Sequence, residues 1–330
     1  MLARLPRIGP QAYARIASAA LLVLALIVFS GAAVRLTGSG LGCPTWPECK
    51  GAVIQTHELG THGWIEQGNR LITGVVSILA ILAALGAFLR TPYRRDLAIL
   101  GVLLPLGVVG QIVLGGMSVL YGLAPGWVMS HFLLSQLILA VAITLAWRAS
   151  RENAEQRDES RRIVIGTRIL APLGAWVLFL GTLTTASGPH PGASGTGEVV
   201  TRLSFKGGGT LDWMIHWHGR FSTVFGLAAL GLWLYARREG AGKPLRTALT
   251  VLCLLLAAQG VVGFVQYENE LPAELVWVHV VLATLTWMAV MWAVNAAGRL
   301  APDRAPETAA ATEPRSPSPD SARPVSAASR

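Results

Sequence analysis

Residues 110–131 read GQIVLGGMSVLYGLAPGWVMSH, and residues 259–279 read QGVVGFVQYENELPAELVWVH. Each stretch leaves an apolar run, passes a short turn containing proline, and enters a second apolar run near a histidine. Gln111, Gly115 and His131 recur as Gln259, Gly263 and His279 at a single offset of 148, and Pro125 recurs as Pro272 at 147. Upstream, GNRLITGVV (68–76) runs parallel to WHGRFSTVF (217–225), which sets Asn69 against His218 at an offset of 149. Self-similarity at one fixed spacing points to a duplicated structural unit. The expectation is an all-α chain built as two tandem copies of a four-helix bundle.

Composition says what kind of unit is duplicated. Of the 330 residues, 52% are hydrophobic and only 14% charged, a balance that excludes a soluble globular domain and places the chain in a membrane. Crossing roughly 30 Å of hydrocarbon takes about 20 apolar residues. Eight segments satisfy this, near 16–36, 67–89, 97–120, 127–147, 164–187, 213–236, 245–267 and 274–297. Basic residues test the count, because short cytoplasmic loops collect Lys and Arg. The segments 1–15, 90–96, 147–163 and 237–246 hold 15 of them, whereas the alternate connections 35–66, 121–127, 188–212 and 268–274 hold 4. This predicts eight spans in a bacterial cell membrane with both termini cytoplasmic. The net charge of +9 is then a topology signal rather than a sign of nucleic-acid binding. Residues 1–150 are expected to form one four-helix half and 151–300 the other. The Ala-, Pro-, Ser- and Arg-rich stretch 301–330 reads as a disordered cytoplasmic tail.

A histidine inside a span costs free energy unless its ring nitrogens find partners. His218 and His279 open the sixth and eighth apolar segments at similar depth. Two facing imidazoles in a four-helix bundle can ligate a haem iron from both sides, the plainer alternative being interhelical hydrogen bonding. His131 inherits the argument through its match to His279. His216, two residues before His218, points about 200° around a helix from it and cannot face the same iron. It reads as a polar interface residue. His190, in TASGPHPGASG, is either a partner for a haem carboxylate or a solvated loop histidine, and His57 and His62 in THELGTH share that ambiguity. Cys43 and Cys49 stand six residues apart in the first outer loop, and on the oxidising side they most simply form a disulfide, the alternative being two free thiols. Cys253 lies within an apolar run and reads as a small buried hydrophobe.

The segments RLTGSGLGCPTWPEC (35–49), LGGMSVL (114–120) with APGWVMSH (124–131), GTLTTASGPHPG (181–192) and QYENELPAELVWVH (266–279) resemble, in order and spacing, the signatures of the haem A synthase family. Together they cover roughly residues 30 to 290. The resemblance implies eight spans in two halves and an enzyme that oxidises a ring methyl of haem O, its substrate, to a formyl group by successive hydroxylations. It further implies a haem b cofactor held in the second half between His218 and His279, and the substrate haem in the first half on His131. The family's outer-loop cysteine pair maps onto Cys43 and Cys49. Its second-helix pattern of Glu, two residues, His, Arg reads here Glu66, Gln67, Gly68, Asn69, Arg70, so asparagine stands where the family has a ligand histidine. An amide is a poor iron ligand, which would leave the substrate haem five-coordinate on His131 or with water on the Asn69 side.

On this reading Glu66 is the candidate catalytic group, a proton donor or acceptor or a stabiliser of developing positive charge, and its plainer role is an i,i+4 salt bridge to Arg70. Arg70 and Arg220 are candidates for haem propionates. Gly115 and Gly116 allow close approach of a helix or a porphyrin face. Gln111 and Gln259 read as interhelical hydrogen-bonding groups. The implied partners are haem O, a quinol or redox-protein electron donor, haem O synthase, cytochrome oxidase assembly factors and membrane lipid. Two rival functions share the composition. One is a dihaem electron-transfer protein without substrate oxidation, and the other is a transporter of tandem repeats.

Overall fold

The computed structural model describes residues 7–43, 45–49, 51, 60–151 and 159–299. The expected tail 301–330 and His57 lie outside them. Among the described residues there are eight α-helices: α1 (Pro10–Leu36), α2 (Thr61–Leu89), α3 (Arg95–Leu120), α4 (Pro125–Ala149), α5 (Arg161–Ser187), α6 (Thr210–Arg238), α7 (Lys243–Glu268) and α8 (Ala273–Ala297). A short strand, β1 (Phe205–Gly208), precedes α6. Proline stands in the first turn of α1, α4 and α7, where its missing N–H costs nothing and its fixed φ suits the helix. Pro105 and Pro172 sit inside α3 and α5, a placement that membrane helices tolerate.

Seven of the eight helices are long and apolar enough to cross a membrane. The exception is α6, and the expectation of eight spans is met there only in length, at 29 residues. Its first turns carry Asp212, His216, His218 and Arg220, which dilute the apolar run. Beyond them α6 exposes Val224, Leu227, Leu230 and Leu234 in the same manner as its neighbours. Outward apolar side chains such as Leu106, Leu254 and Phe264 remain more than 60% exposed, a surface suited to lipid rather than water.

Helices α1 to α4 pack in a ring, each against the next and α4 back against α1, and α5 to α8 do the same. Small residues set the separations. A Cβ on Gly101 would stand 3.1 Å from the Ala83 carbonyl, so glycine lets α3 lie against α2, and Gly166 likewise admits Leu232 between α5 and α6. The first ring is cored by Tyr13, Ala17, Ala20, Ala80, Ala83, Leu104 and Leu139, and the Tyr13 hydroxyl donates to the Ala83 carbonyl at 3.1 Å. The second is cored by Leu170, Phe225, Ala229, Leu245, Leu249 and Ala293. Between the rings, Trp287 Nε1 donates to the Gln136 carbonyl at 2.8 Å, and Trp277 Nε1 to the Phe29 carbonyl at 3.0 Å.

At one end the connections interlock. Gly40 N donates to the Gly192 carbonyl at 2.7 Å, Gly195 N to the Gly38 carbonyl at 3.2 Å, and His190 Nε2 to the Leu271 carbonyl at 2.7 Å. The α1–α2, α5–α6 and α7–α8 loops are thereby tied into one cap over the helices that carry the histidines.

Candidate functional site

His218 of α6 and His279 of α8 face one another, with ring centroids 6.2 Å apart and planes at 66°. Each ring lies against a glycine of the neighbouring helix. A Cβ on Gly181 of α5 would meet His218 Cε1 at 3.1 Å, and one on Gly263 of α7 would meet His279 Cε1 at 3.3 Å. Any larger side chain at either position would push an imidazole out of place. Nδ1 of both rings is buried without a hydrogen bond. Nε2 of each ring is the accessible nitrogen. The backbone is anchored as well, because Gln259 Nε2 donates to the His279 carbonyl at 3.1 Å.

The first ring of helices repeats this local construction. Gln111 Nε2 donates to the His131 carbonyl at 3.0 Å, a Cβ on Gly115 would stand 3.2 Å from His131 Cε1, and His131 Nδ1 is buried and unpaired. The expected roles of Gln111 and Gln259 as interhelical hydrogen-bonding groups are realised by these bonds. Gly31 of α1 approaches Asn69, whose Nδ2 would lie 4.0 Å from a Cβ there. Asn69 thus stands toward Gly31 as His218 stands toward Gly181. Its Oδ1 accepts a hydrogen bond from Ser30 at 2.7 Å, and among the described residues no hydrogen bond joins it to His131.

Glu66 is buried near the first turn of α2, and both its oxygens are engaged. Oε2 accepts from Cys43 N at 2.7 Å, and Oε1 accepts from Arg70 Nη2 at 2.5 Å. The same guanidinium donates to the Cys43 carbonyl at 3.0 Å and the Thr45 carbonyl at 3.3 Å. Cys43 and Cys49 are joined in a disulfide and fully buried. The i,i+4 salt bridge is therefore formed, and it clasps the disulfide loop to α2. Trp46, at the tip of that loop, fills the space over Gly116, where a Cβ would meet its ring at 2.6 Å. Of the adjacent glycines, Gly115 receives His131 and Gly116 receives the loop. Replacing Glu66 by alanine leaves a half-buried guanidinium and the Cys43 amide without their partner. A loss of about 3 kcal/mol is expected, the lower end for breaking a buried pair. It should appear as a lower Tm in detergent solution, with Glu66→Gln losing less.

Other sequence candidates fall elsewhere. Arg220 is exposed, with its guanidinium 5.2 Å from the Trp217 ring centre. His216 is exposed, and its Nδ1 donates to the Asp212 carbonyl at 2.8 Å, in keeping with a polar position away from the His218 face. His62 Nδ1 pairs with Ser39 Oγ at 2.8 Å while its ring packs on Gly195, so it links loops rather than replacing the missing imidazole. His190 offers its ring to Leu271 and its carbonyl to Arg35. Cys253 is half-buried on α7. Sequence reading passed over Gly31 and Gly181, although they recur 150 residues apart, as well as Ser30, Arg35 and Arg202. Burial draws the Arg202 guanidinium below its ordinary pKa. A cavity of about 410 Å³ in the α5–α6 loop is lined by Pro189, Pro191, Glu198, Val200 and Arg202, and no histidine faces it.

The model of the cytochrome oxidase assembly proteins called COX15-CtaA matches residues 14–190. The haem A synthase of Listeria welshimeri is 24% identical over 275 residues, covering 80% of this chain and 88% of that one. The haem A synthase of Lysinibacillus sphaericus is 34% identical over 131 residues, 39% of this chain and 42% of its own. That of Halalkalibacterium halodurans is 30% identical over 134 residues, 39% and 45% of the two chains.

Proposed function

Because the chain belongs to the COX15-CtaA family of cytochrome oxidase assembly proteins, we propose that it is a haem A synthase, a membrane oxidoreductase that converts haem O to haem A. The Listeria welshimeri protein that carries that name matches 80% of the chain. The observation that carries the assignment to particular residues is the twice-built histidine nest. His131 and His279 each have a glutamine on the backbone carbonyl, a glycine under the ring and a buried Nδ1.

The second half suits a resident haem b. Two metal–imidazole bonds of about 2 Å on opposite sides of one iron, with the distance from Nε2 to each ring centre, come to roughly 6 Å. The 6.2 Å between the His218 and His279 rings fits that requirement, and in each case it is Nε2 that is free to ligate. Haem b bound there would supply one-electron redox chemistry, with electrons drawn from a quinol or a redox protein. Gly181 and Gly263 keep both rings in place, and Gln259 holds the backbone beneath His279. Gly181→Val is accordingly expected to lower the content of six-coordinate low-spin haem by at least about tenfold, read from the reduced-minus-oxidised spectrum of purified protein.

The first half is the proposed substrate site. His131 would hold haem O, and Asn69, fixed by Ser30, keeps the opposite side free of a protein imidazole. Each hydroxylation would replace a C–H of the ring methyl by C–OH with dioxygen as the oxidant, one oxygen atom entering the methyl and the other leaving as water with two electrons from the donor and two protons. The geminal diol formed by the second loses water to give the formyl group. Glu66 lies three residues before Asn69 and is proposed to position the disulfide loop and Trp46 over this site, with proton exchange possible only if its bond to Arg70 opens. Arg70 and Arg220 remain proposed propionate partners. Eight spans, duplication of a four-helix unit with boundaries at 150 and 300, and cytoplasmic termini complete the reading. It is supported by the closed rings α1–α4 and α5–α8 and by the outward apolar row of α6.

The deciding experiment is haem extraction and mass analysis from cells that supply haem O and express the wild-type chain. Haem A above the background of the empty strain is the expected result. Haem b alone, with intact low-spin spectra, would instead make the chain a dihaem electron-transfer protein.

A further inference from the structure

Two arginines meet where α1, α5 and the α5–α6 loop converge. Arg35 Nη2 donates to the Thr185 carbonyl at 3.1 Å and to the His190 carbonyl at 2.6 Å. Arg202 Nη2 donates to the same Thr185 carbonyl at 2.6 Å and to Gly188, and its Nε donates to the Gly188 carbonyl at 3.0 Å. Two guanidiniums therefore share one neutral acceptor. Among the described residues neither forms an ion pair with a carboxylate; Glu198 shares the loop with Arg202 but pairs with neither. Nε and Nη1 of Arg35 and Nη1 of Arg202 carry no hydrogen bond and are not buried.

The C-terminal ends of α1, whose last turn carries Arg35, and of α5 each offer these charges about half an elementary negative charge, which leaves about one positive charge uncompensated in a partly desolvated place. Charges held there call for an anion, and the forked guanidinium suits carboxylates. The position says which. Thr185 stands four residues beyond Gly181, so it lies on the same face of α5, one turn or about 6 Å toward the loops. Gly181 is the residue against which the His218 ring rests.

We propose that Arg35 and Arg202 form a clamp for the carboxylates of the haem seated between His218 and His279. The proposal rests on that haem assignment and deepens it. Arg35 belongs to α1, so the second-half site is completed by a side chain of the first half, and the two halves are coupled through one ligand. Arg220, also proposed as a propionate partner, lies outside this cluster, exposed over Trp217.

The test uses full-length protein in detergent, depleted of haem and reloaded with protohaem or with its dimethyl ester, which lacks the two negative charges. Wild-type protein should bind the diacid at least about tenfold more tightly, the scale of one lost charge-assisted contact. Arg35→Gln and Arg202→Gln should each lose most of that preference and lower the midpoint potential, since removing a positive charge favours ferric iron. Arg35→Lys and Arg202→Lys preserve the charge without the fork, and they should fold and retain part of the preference. Wild-type protein without a preference, or glutamine variants that keep it in full, overturns the clamp. A thermal stability that depends on added phosphatidylglycerol through these arginines, with no preference between diacid and ester, would assign the counter-charge to lipid phosphate and also overturn it. His218→Ala run in parallel separates the two levels, because an unchanged low-spin spectrum in that variant would sink the haem assignment rather than the clamp alone.

Discussion

His218→Ala is expected to strip the protein of its low-spin haem and to reduce haem A formation by at least about 100-fold, as loss of a direct metal ligand exceeds what outer contacts cost. The same outcome is expected for His279→Ala. The two rings come from different helices, α6 and α8, and each is positioned by its own glycine, so neither variant can be compensated by a rotamer change of the other. His216 cannot substitute, because it is bonded to Asp212 on the exposed side of α6. The measurements are the pyridine haemochrome content of purified protein and the α-band of the reduced spectrum. Retention of a normal low-spin band in both variants would rule out the proposed ligation, and His131→Ala provides the contrast, since it should leave that band intact and abolish product.

Asn69→His carries the second large effect, and its sign is informative. Asn69 occupies the place beside Gly31 that corresponds to His218 beside Gly181, and His131 stands in a nest equivalent to that of His279. An imidazole at position 69 should close the second axial position of the substrate haem, adding a low-spin signal and lowering haem A formation by at least about tenfold, or ~1.4 kcal/mol in the barrier. It also forfeits the 2.7 Å bond from Ser30, which Ser30→Ala removes separately as a control for structural damage. Should Asn69→His raise the yield of haem A, the asparagine is a loss from an originally bis-histidine site and not an adaptation to open coordination.

Some of this was legible without coordinates because it depends on spacing along a helix. The offset of 148 linking Gln111, Gly115 and His131 to Gln259, Gly263 and His279 survives as the same two contacts in space, since a rigid helix pair converts sequence spacing directly into geometry. The i,i+4 pair of Glu66 and Arg70 follows from helical pitch alone. The Cys43–Cys49 disulfide was the simplest reading of two cysteines six residues apart in one loop. Apolar length marked all eight helices, though α6 is too polar in its first turns to count as a span by composition.

What the sequence by itself determined, then, is the helical class, the order of the apolar segments and the recurrence of the histidine nests, all of which are properties of local periodicity. The tertiary structure alone decided what those side chains meet. It turned Glu66 toward the Cys43 amide, which lies in a loop whose path no helical period predicts. It brought Trp46 onto Gly116, and it carried Arg35 across 150 residues of chain to the Thr185 carbonyl beside Arg202. Such meetings depend on how loops fold back over the helix ends, where backbone carbonyls rather than side chains are the partners. Since every residue carries a carbonyl, its identity leaves no mark in the sequence to be read.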